Sequence, residues 1–162
     1  MPGAFYITTA IDYPNDAPHL GTAYEKVTAD VIARWHRLSG KAVHFLMGND
    51  EHSLKVAQRA QQEGLTPMAW CDRMEAAFKE RWAALDVSFD DFIRTSEERH
   101  KKGVLALIKG VREANPDDIF LGEYKGWYCY GCEEFKLEKN LVPPTKDGLC
   151  PEHPNRKPEW LT

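Results

Sequence analysis

A strand–helix–strand pattern over residues 4–47 limits the possible folds of this sequence. Residues 4–10 are rich in aromatic and β-branched types, which favour a strand, and residues 42–47 form a second apolar strand. Between them, large apolar residues recur every three or four positions, which predicts a helix with one face on a core. That predicted face consists of Tyr24, Val27, Val31, Trp35 and Leu38. Because such a unit joins parallel strands, the sequence predicts an α/β fold with a parallel sheet.

Three more helices are predicted downstream. One spans about 52–63 and stops near Gly64, and a second runs over 66–85, with Thr66 as its cap and Pro67 at its first position. The third covers about 97–113 and follows a short strand that begins near Val87, with Thr95 or Ser96 as its cap. Five apolar residues of this helix are expected to be buried: Val104, Leu105, Leu107, Ile108 and Val111.

A change of composition predicts a domain boundary near residue 116. Asn115 and Pro116 interrupt the helical pattern, and the residues that follow favour short antiparallel strands. We therefore expect one domain over residues 1–116 and a second, smaller one over residues 117–162.

The composition is that of a globular protein outside the membrane. The net charge of −4 argues against this chain alone wrapping nucleic acid. The sequence has no apolar run long enough to span a bilayer, and its start lacks the pattern of a signal peptide. We therefore expect a cytoplasmic protein, in which cysteines are metal ligands or buried thiols more often than disulfides.

The loop over residues 13–22 is a candidate phosphate site. It lies between the first strand and the first helix, whose N-terminus offers unpaired backbone N–H groups to an anion. His19 can donate to phosphate oxygens, Gly21 allows close approach to the backbone, and Thr22 offers a hydroxyl or a helix cap. A plain strand-to-helix connection is the alternative interpretation.

Asp50 is expected near this loop, because it follows the end of the second parallel strand. Ligands of open parallel sheets bind beyond the carboxyl ends of the strands, where segments from different strands converge. The alternative is that Asp50 only caps the next helix.

Two short motifs in the second half predict a metal site. Cys129 and Cys132 form a C-x2-C pair, and Cys150 and His153 form a C-x2-H pair. Each pair can chelate from one turn, and two pairs complete a zinc tetrahedron with no open position, so we expect a structural metal. The remaining cysteine, Cys71, is expected to be a buried structural thiol.

Four stretches together resemble the methionyl-tRNA synthetase family of class I aminoacyl-tRNA synthetases. They are the segment His19–Thr22, which is similar to the HIGH signature, then Gly48–His52 and Val87–His100, and finally the zinc knuckle. The family usually has a second histidine where this chain has Thr22.

The resemblance implies a Rossmann-like catalytic half with a small zinc-knuckle insertion. The implied reaction is ATP-dependent activation of methionine and its transfer to tRNA(Met), with ATP bound together with Mg²⁺. It assigns ATP binding to His19, Gly21 and Thr22, with His19 and Thr22 as the catalytic residues. It also assigns the methionine site to Ala10, Ile11, Tyr13 and Asp50, and the zinc ligands to Cys129, Cys132, Cys150 and His153.

The family's second signature, a lysine loop that clamps the ATP phosphates, does not occur in this sequence. We therefore expect a truncated chain that lacks the C-terminal half of the enzyme and is inactive alone. Two alternatives stay open: another class I aminoacyl-tRNA synthetase, or a non-catalytic, zinc-containing RNA-binding or assembly module.

Overall fold

The computed structural model describes residues 3–145 and 147–162. The chain divides into two compact units, residues 1–110 and residues 111–162. The boundary predicted after residue 116 stays a prediction.

The first unit contains a parallel sheet of three strands. They are β1 (Ala4–Thr8), β2 (Ala42–Asn49) and β3 (Asp91–Arg94). Their order is β1-β2-β3, and both pairings are parallel. The predicted α/β class and the strand–helix–strand unit are therefore confirmed.

Four helices accompany this sheet: α1 (Leu20–Leu38), α2 (Leu54–Gln62), α3 (Pro67–Ala84) and α4 (Glu98–Ala114). Gly40 follows α1 with φ of 79° and Gly64 follows α2 with φ of 69°, a conformation that glycine adopts without strain. The Thr66 hydroxyl accepts the N–H of Ala69 at 3.2 Å and caps α3. The helix ends predicted at these three positions are confirmed.

The core of the first unit lies between the sheet and the helices. Its largest buried side chains come from β2 and α3 and include Phe45, Met47, Phe78 and Trp82. Cys71 is part of this core, and burial raises the pKa of its thiol to about 11. The thiol is therefore protonated at neutral pH, which confirms the expectation of a buried structural cysteine.

The predicted inner face of α1 is wrong. Its large apolar residues are exposed; Trp35 retains 61% of its accessible surface and Leu38 retains 88%. The buried residues of α1 are Lys26, Ala29, Asp30 and Ala33. Small side chains let the helix approach the sheet closely, and Asp30 accepts the backbone N–H of Ser88 at 2.8 Å. Small and charged residues therefore form the face that packs.

The predicted burial in α4 is also wrong. None of the described residues of this helix is buried, and Leu105 and Leu107 expose 66% and 70% of their surface. The hydroxyls of Thr95 and Ser96, predicted as caps, bond to residues 50 and 51 instead. The apolar periodicity indicates a helix correctly, but that face stays largely exposed in the described part of the chain.

The second unit contains a small antiparallel sheet. Its strands are β4 (Gly126–Cys129), β5 (Glu134–Lys136) and β6 (Glu159–Leu161), with β4 in the centre. The change from parallel to short antiparallel strands agrees with the composition after residue 116.

Candidate functional site

The segment after β1 is joined to the end of β2 by backbone hydrogen bonds. The N–H of Asp12 donates to the carbonyl of Gly48 at 3.1 Å, and the N–H of Asp50 donates to the carbonyl of Asp12 at 2.9 Å. Residues 12 and 49 form a parallel bridge beyond the regular strands. The structure therefore brings the proposed methionine residues Ala10, Ile11 and Tyr13 to the same sheet edge as Asp50.

The side chains of His19 and Thr22 cap the start of α1. His19 is the N-cap residue, and its Nδ1 accepts the N–H of Gly21 at 3.0 Å. The Thr22 hydroxyl accepts the N–H of His19 at 2.9 Å and donates to its carbonyl at 2.7 Å. Because Nδ1 is an acceptor here, a neutral His19 carries its proton on Nε2, which can donate to a phosphate oxygen.

This arrangement changes the expected contributions of Gly21 and Thr22. The Gly21 N–H and the Thr22 hydroxyl are both used inside the capping box, so neither is a spare donor for an anion. A Cβ on Gly21 would lie 2.9 Å from Cε1 and 3.1 Å from Nδ1 of His19. Glycine is therefore needed to leave room for the imidazole ring, a requirement that sequence reasoning did not identify.

A cavity of about 240 Å³ lies over this loop. Its lining consists of Asp12, Tyr13, Asn15, Asp16, Ala17, Pro18, His19, Thr22 and Phe78. The indole N–H of Trp70 donates to the carbonyl of the buried Pro14 at 2.6 Å and so ties the loop to α3. The loop is thus fixed by a hydrogen bond from α3 as well as by the helix start that follows it. Sequence reasoning did not identify this contact of Trp70.

Asp50 does not cap α2, whose N-cap is Ser53. The Asp50 carboxylate accepts the N–H of His52 at 3.3 Å and the hydroxyl of Thr95 at 3.4 Å. These contacts orient the half-buried carboxylate, which makes it suited to bind a cationic group such as an ammonium. The alternative interpretation of Asp50 as a helix cap is therefore wrong.

A partly buried ion-pair network holds the segment that carries Asp50. The Arg94 guanidinium, at the end of β3, contacts Glu51 at 2.6 Å, Asp72 at 2.7 Å and Glu75 at 2.9 Å. The side chains of Arg94 and Glu51 are 12% and 2% exposed. Burial strengthens the bond between Arg94 and Glu51. The network connects the end of β3 and the segment after β2 to α3. Sequence reasoning missed Arg94, because its three partners are distant in sequence.

The second unit brings the four predicted metal ligands together. The ligand atoms of Cys129, Cys132, Cys150 and His153 all lie within 4.8 Å of one another. Cys132 Sγ is 3.5 Å from Cys150 Sγ and 3.2 Å from His153 Nδ1. Zinc bonds of roughly 2.0–2.3 Å give tetrahedron edges of about 3.3–3.8 Å, so the donor types fit zinc and these two separations lie close to such edges.

The turn after β4 shapes this cluster. Cys129 ends the strand, and a Cβ on Gly131 would lie 2.6 Å from two ring atoms of His153. Glycine between the two cysteines therefore lets the imidazole approach the sulfur atoms. The arrangement can hold a four-coordinate cation and leaves no ligand position for a substrate.

Comparison with known proteins identifies the family. Residues 5–158 match the family of class I tRNA synthetases designated M. The chain belongs to the class I (M) tRNA synthetase family. The resemblance given by the four sequence stretches is therefore confirmed.

Relatives and solved structures agree with this assignment. A methionine–tRNA ligase of Synechocystis is 44% identical over 158 residues, and one of Thermotoga maritima is 45% identical over 157 residues. These matches cover 96% and 97% of this chain but 28% and 24% of the relatives. The methionyl-tRNA synthetase of Mycobacterium tuberculosis in complex with methionyl-adenylate is 40% identical, with a TM-score of 0.85.

The structural match covers 99% of this chain and 31% of the mycobacterial synthetase. The chain thus spans less than a third of the length of these family members. The structural match confirms the Rossmann-like α/β fold of the first unit. No helix in the described part of the chain is long and apolar enough to cross a membrane.

Proposed function

We propose that this chain is the N-terminal part of a methionine–tRNA ligase. The enzyme activates methionine with ATP to methionyl-adenylate and then transfers the methionyl group to tRNA(Met). One observation carries the proposal: the Ala10–Tyr13 segment is hydrogen-bonded to Asp50 at the sheet edge where α1 begins with His19. The family and the solved relative with methionyl-adenylate support the same substrate class.

The two kinds of group at this edge suit the two substrates. The Asp50 carboxylate would hold the ammonium of methionine, and Ala10, Ile11 and Tyr13 would line its side-chain pocket. His19 Nε2 would donate to an oxygen of the ATP α-phosphate, and the capping box formed with Gly21 and Thr22 fixes the imidazole. ATP enters with Mg²⁺ as its counterion.

The chemistry requires positioning and charge stabilisation, not a covalent intermediate. A carboxylate oxygen of methionine attacks the α-phosphorus, the bond to the bridging oxygen breaks, and pyrophosphate leaves with the electron pair. Negative charge grows on the α-phosphate oxygens in the transition state, so a donor held at that position lowers the barrier. The lysine loop that would clamp the remaining phosphates belongs to the C-terminal half of the enzyme.

The metal centre has a separate, structural role in this proposal. Cys129, Cys132, Cys150 and His153 would hold one zinc ion and stabilise the second unit, which we assign to the connective insertion of the family. A filled tetrahedron supplies no Lewis-acid site for a substrate. The thiolate ligands require a reducing compartment, and the cytoplasm, where tRNA is charged, provides one.

The test is amino-acid-dependent exchange of pyrophosphate with ATP in the full-length protein whose reading frame contains these residues. Methionine should support exchange, whereas isoleucine, valine, leucine and cysteine should not. Exchange with one of these other amino acids would indicate a different class I synthetase. RNA binding without ATP binding would indicate the non-catalytic module instead.

A further inference from the structure

The ammonium of Lys26 is completely buried beside the candidate methionine site. Its Nζ donates to the carbonyl of Ala10 and to Glu25, each at 2.8 Å, and lies 3.0 Å from Asp12 Oδ2. The residue has no accessible surface. A buried ammonium is unfavourable unless its donors are matched, and here three oxygens surround it. The Lys26 side chain is therefore bound to the segment that follows β1.

Glu25 completes the attachment of that segment. Its Oε1 accepts the N–H of Ala10 at 2.9 Å, while its Oε2 accepts from Lys26. Both backbone polar groups of Ala10, which lies outside the regular sheet, are thus bound by neighbouring side chains of α1. The backbone position of Ala10 depends on α1 through these two residues.

Asp12 links this segment to the residues that follow β2. Its backbone accepts the N–H of Asp50, and its carboxylate is only 11% exposed next to Lys26. Burial raises the pKa of this carboxyl, and the neighbouring ammonium opposes that effect. Lys26 therefore compensates a buried charge on the residue that hydrogen-bonds to the proposed ammonium-binding segment.

We propose that Lys26 is a positioning residue for methionine: together with Glu25 it fixes Ala10–Asp12 relative to α1 and to Asp50. The inference rests on the function proposed above. His19 is held by its own capping box and not by Lys26. Lys26 and Glu25 thus act on the part of the site proposed for methionine and leave the part proposed for the phosphate unchanged.

The test compares Lys26→Met with Asp30→Asn in the full-length enzyme. Asp30 is also a buried charged residue of α1, but it binds Ser88 and Arg34, away from the candidate site. Lys26→Met should raise the KM for methionine in pyrophosphate exchange, and its Kd by calorimetry, by roughly tenfold or more. The KM for ATP and kcat should change less than about twofold. Asp30→Asn should lower the melting temperature without changing methionine affinity.

Two further variants separate positioning from general stability. Lys26→Met combined with Asp12→Asn removes both buried charges, so it should regain thermal stability while methionine affinity stays low. The Glu25 side chain is 41% exposed, so Glu25→Gln should produce a smaller rise in the methionine KM. This variant provides the test if Lys26→Met does not fold.

The outcomes distinguish this inference from the proposed function. Unchanged methionine affinity in folded Lys26→Met, or in Glu25→Gln if Lys26→Met does not fold, would overturn the role of Lys26 alone. An equal rise in the KM for ATP would also overturn this role, since Lys26 would then not act selectively on methionine binding. No methionine-dependent exchange by the unsubstituted full-length protein would overturn the proposed function and the role of Lys26 with it.

Discussion

At the scale of single residues, His19 has two functions that substitutions can separate. It caps α1 through Nδ1, and we propose that Nε2 donates to the α-phosphate. His19→Ala removes both contributions, and His19→Asn keeps a good capping residue without the imidazole. In the full-length enzyme, both should slow adenylate formation by about 10²- to 10³-fold, as for the loss of one oxyanion donor. Only His19→Ala should lose about 1 kcal/mol of stability.

Pre-steady-state measurement of adenylate formation, together with thermal unfolding, checks this expectation. Asp50→Ala provides the contrast, because it should mainly raise the KM for methionine. The same kinetic pattern for substitutions at residues 19 and 50 would contradict the proposed division between phosphate and ammonium binding.

Gly21→Ala tests the space that the His19 ring requires. The new methyl group would lie 2.9 Å from the imidazole and must displace it, so adenylate formation should slow at least about tenfold. Alanine is the better helix former, so stability should not fall in parallel. Gly103→Ala in α4 is the matched control, because its Cβ meets no atom within 4 Å. That variant should gain up to about 1 kcal/mol of stability and keep its activity.

Kinetics and denaturant unfolding of the two glycine variants give the comparison. Normal adenylate formation by Gly21→Ala would show that the ring position seen here is not the active one.

At the scale of structural elements, the stability of the second unit should depend on zinc. Its three strands have three or four residues each, so it has little apolar core of its own. Apparent binding energies of structural zinc are about 10–16 kcal/mol at neutral pH. Cys129→Ser should therefore abolish stoichiometric zinc binding and unfold residues 126–161, while the first unit keeps its helices.

Elemental analysis and amide hydrogen exchange measure these two effects. Cys71→Ala is the control, because Cys71 lies in the core of the first unit and should not affect zinc content. Zinc-free protein after purification under reducing conditions would contradict the metal assignment.

At the scale of the whole molecule, residues 1–162 should not make methionyl-adenylate alone. The chain spans less than a third of its relatives, and β1 has a partner on only one side within the described sheet. A doubly wound nucleotide fold has strands on both sides of its switch point, and the phosphate-clamping loop would come with the second half. Pyrophosphate exchange should therefore be absent with residues 1–162 and partly restored when the remainder of the enzyme is added. Robust exchange by these residues alone would show that the active site is completed differently.

The exposed apolar face of α1 gives a second expectation at this scale. Tyr24, Val31 and Trp35 are each more than half exposed in the described chain. Isolated residues 1–162 should therefore self-associate at increasing concentration, because exposed apolar patches promote association. Sedimentation should show that Val31→Lys weakens association, whereas Lys102→Glu, outside this face, should not.

Local structure and the chemical types of the candidate ligands follow from short stretches of the sequence. Apolar runs, glycines with positive φ and the Thr66–Pro67 cap are local signals, so the strand–helix–strand unit and several helix ends were predictable. The two cysteine and histidine pairs also carry their spacing in the sequence, and the structure brings them together.

The packed face of α1 and the contacts that hold the candidate site depend instead on how distant elements meet. Large apolar residues show that a helix face can be buried, but they do not say against what; here Ala29 and Ala33 allow the closer approach. The links from Lys26 to Ala10 and from Arg94 to Glu51 join residues far apart in sequence. Such contacts follow from how the elements meet in space, and no local pattern encodes them.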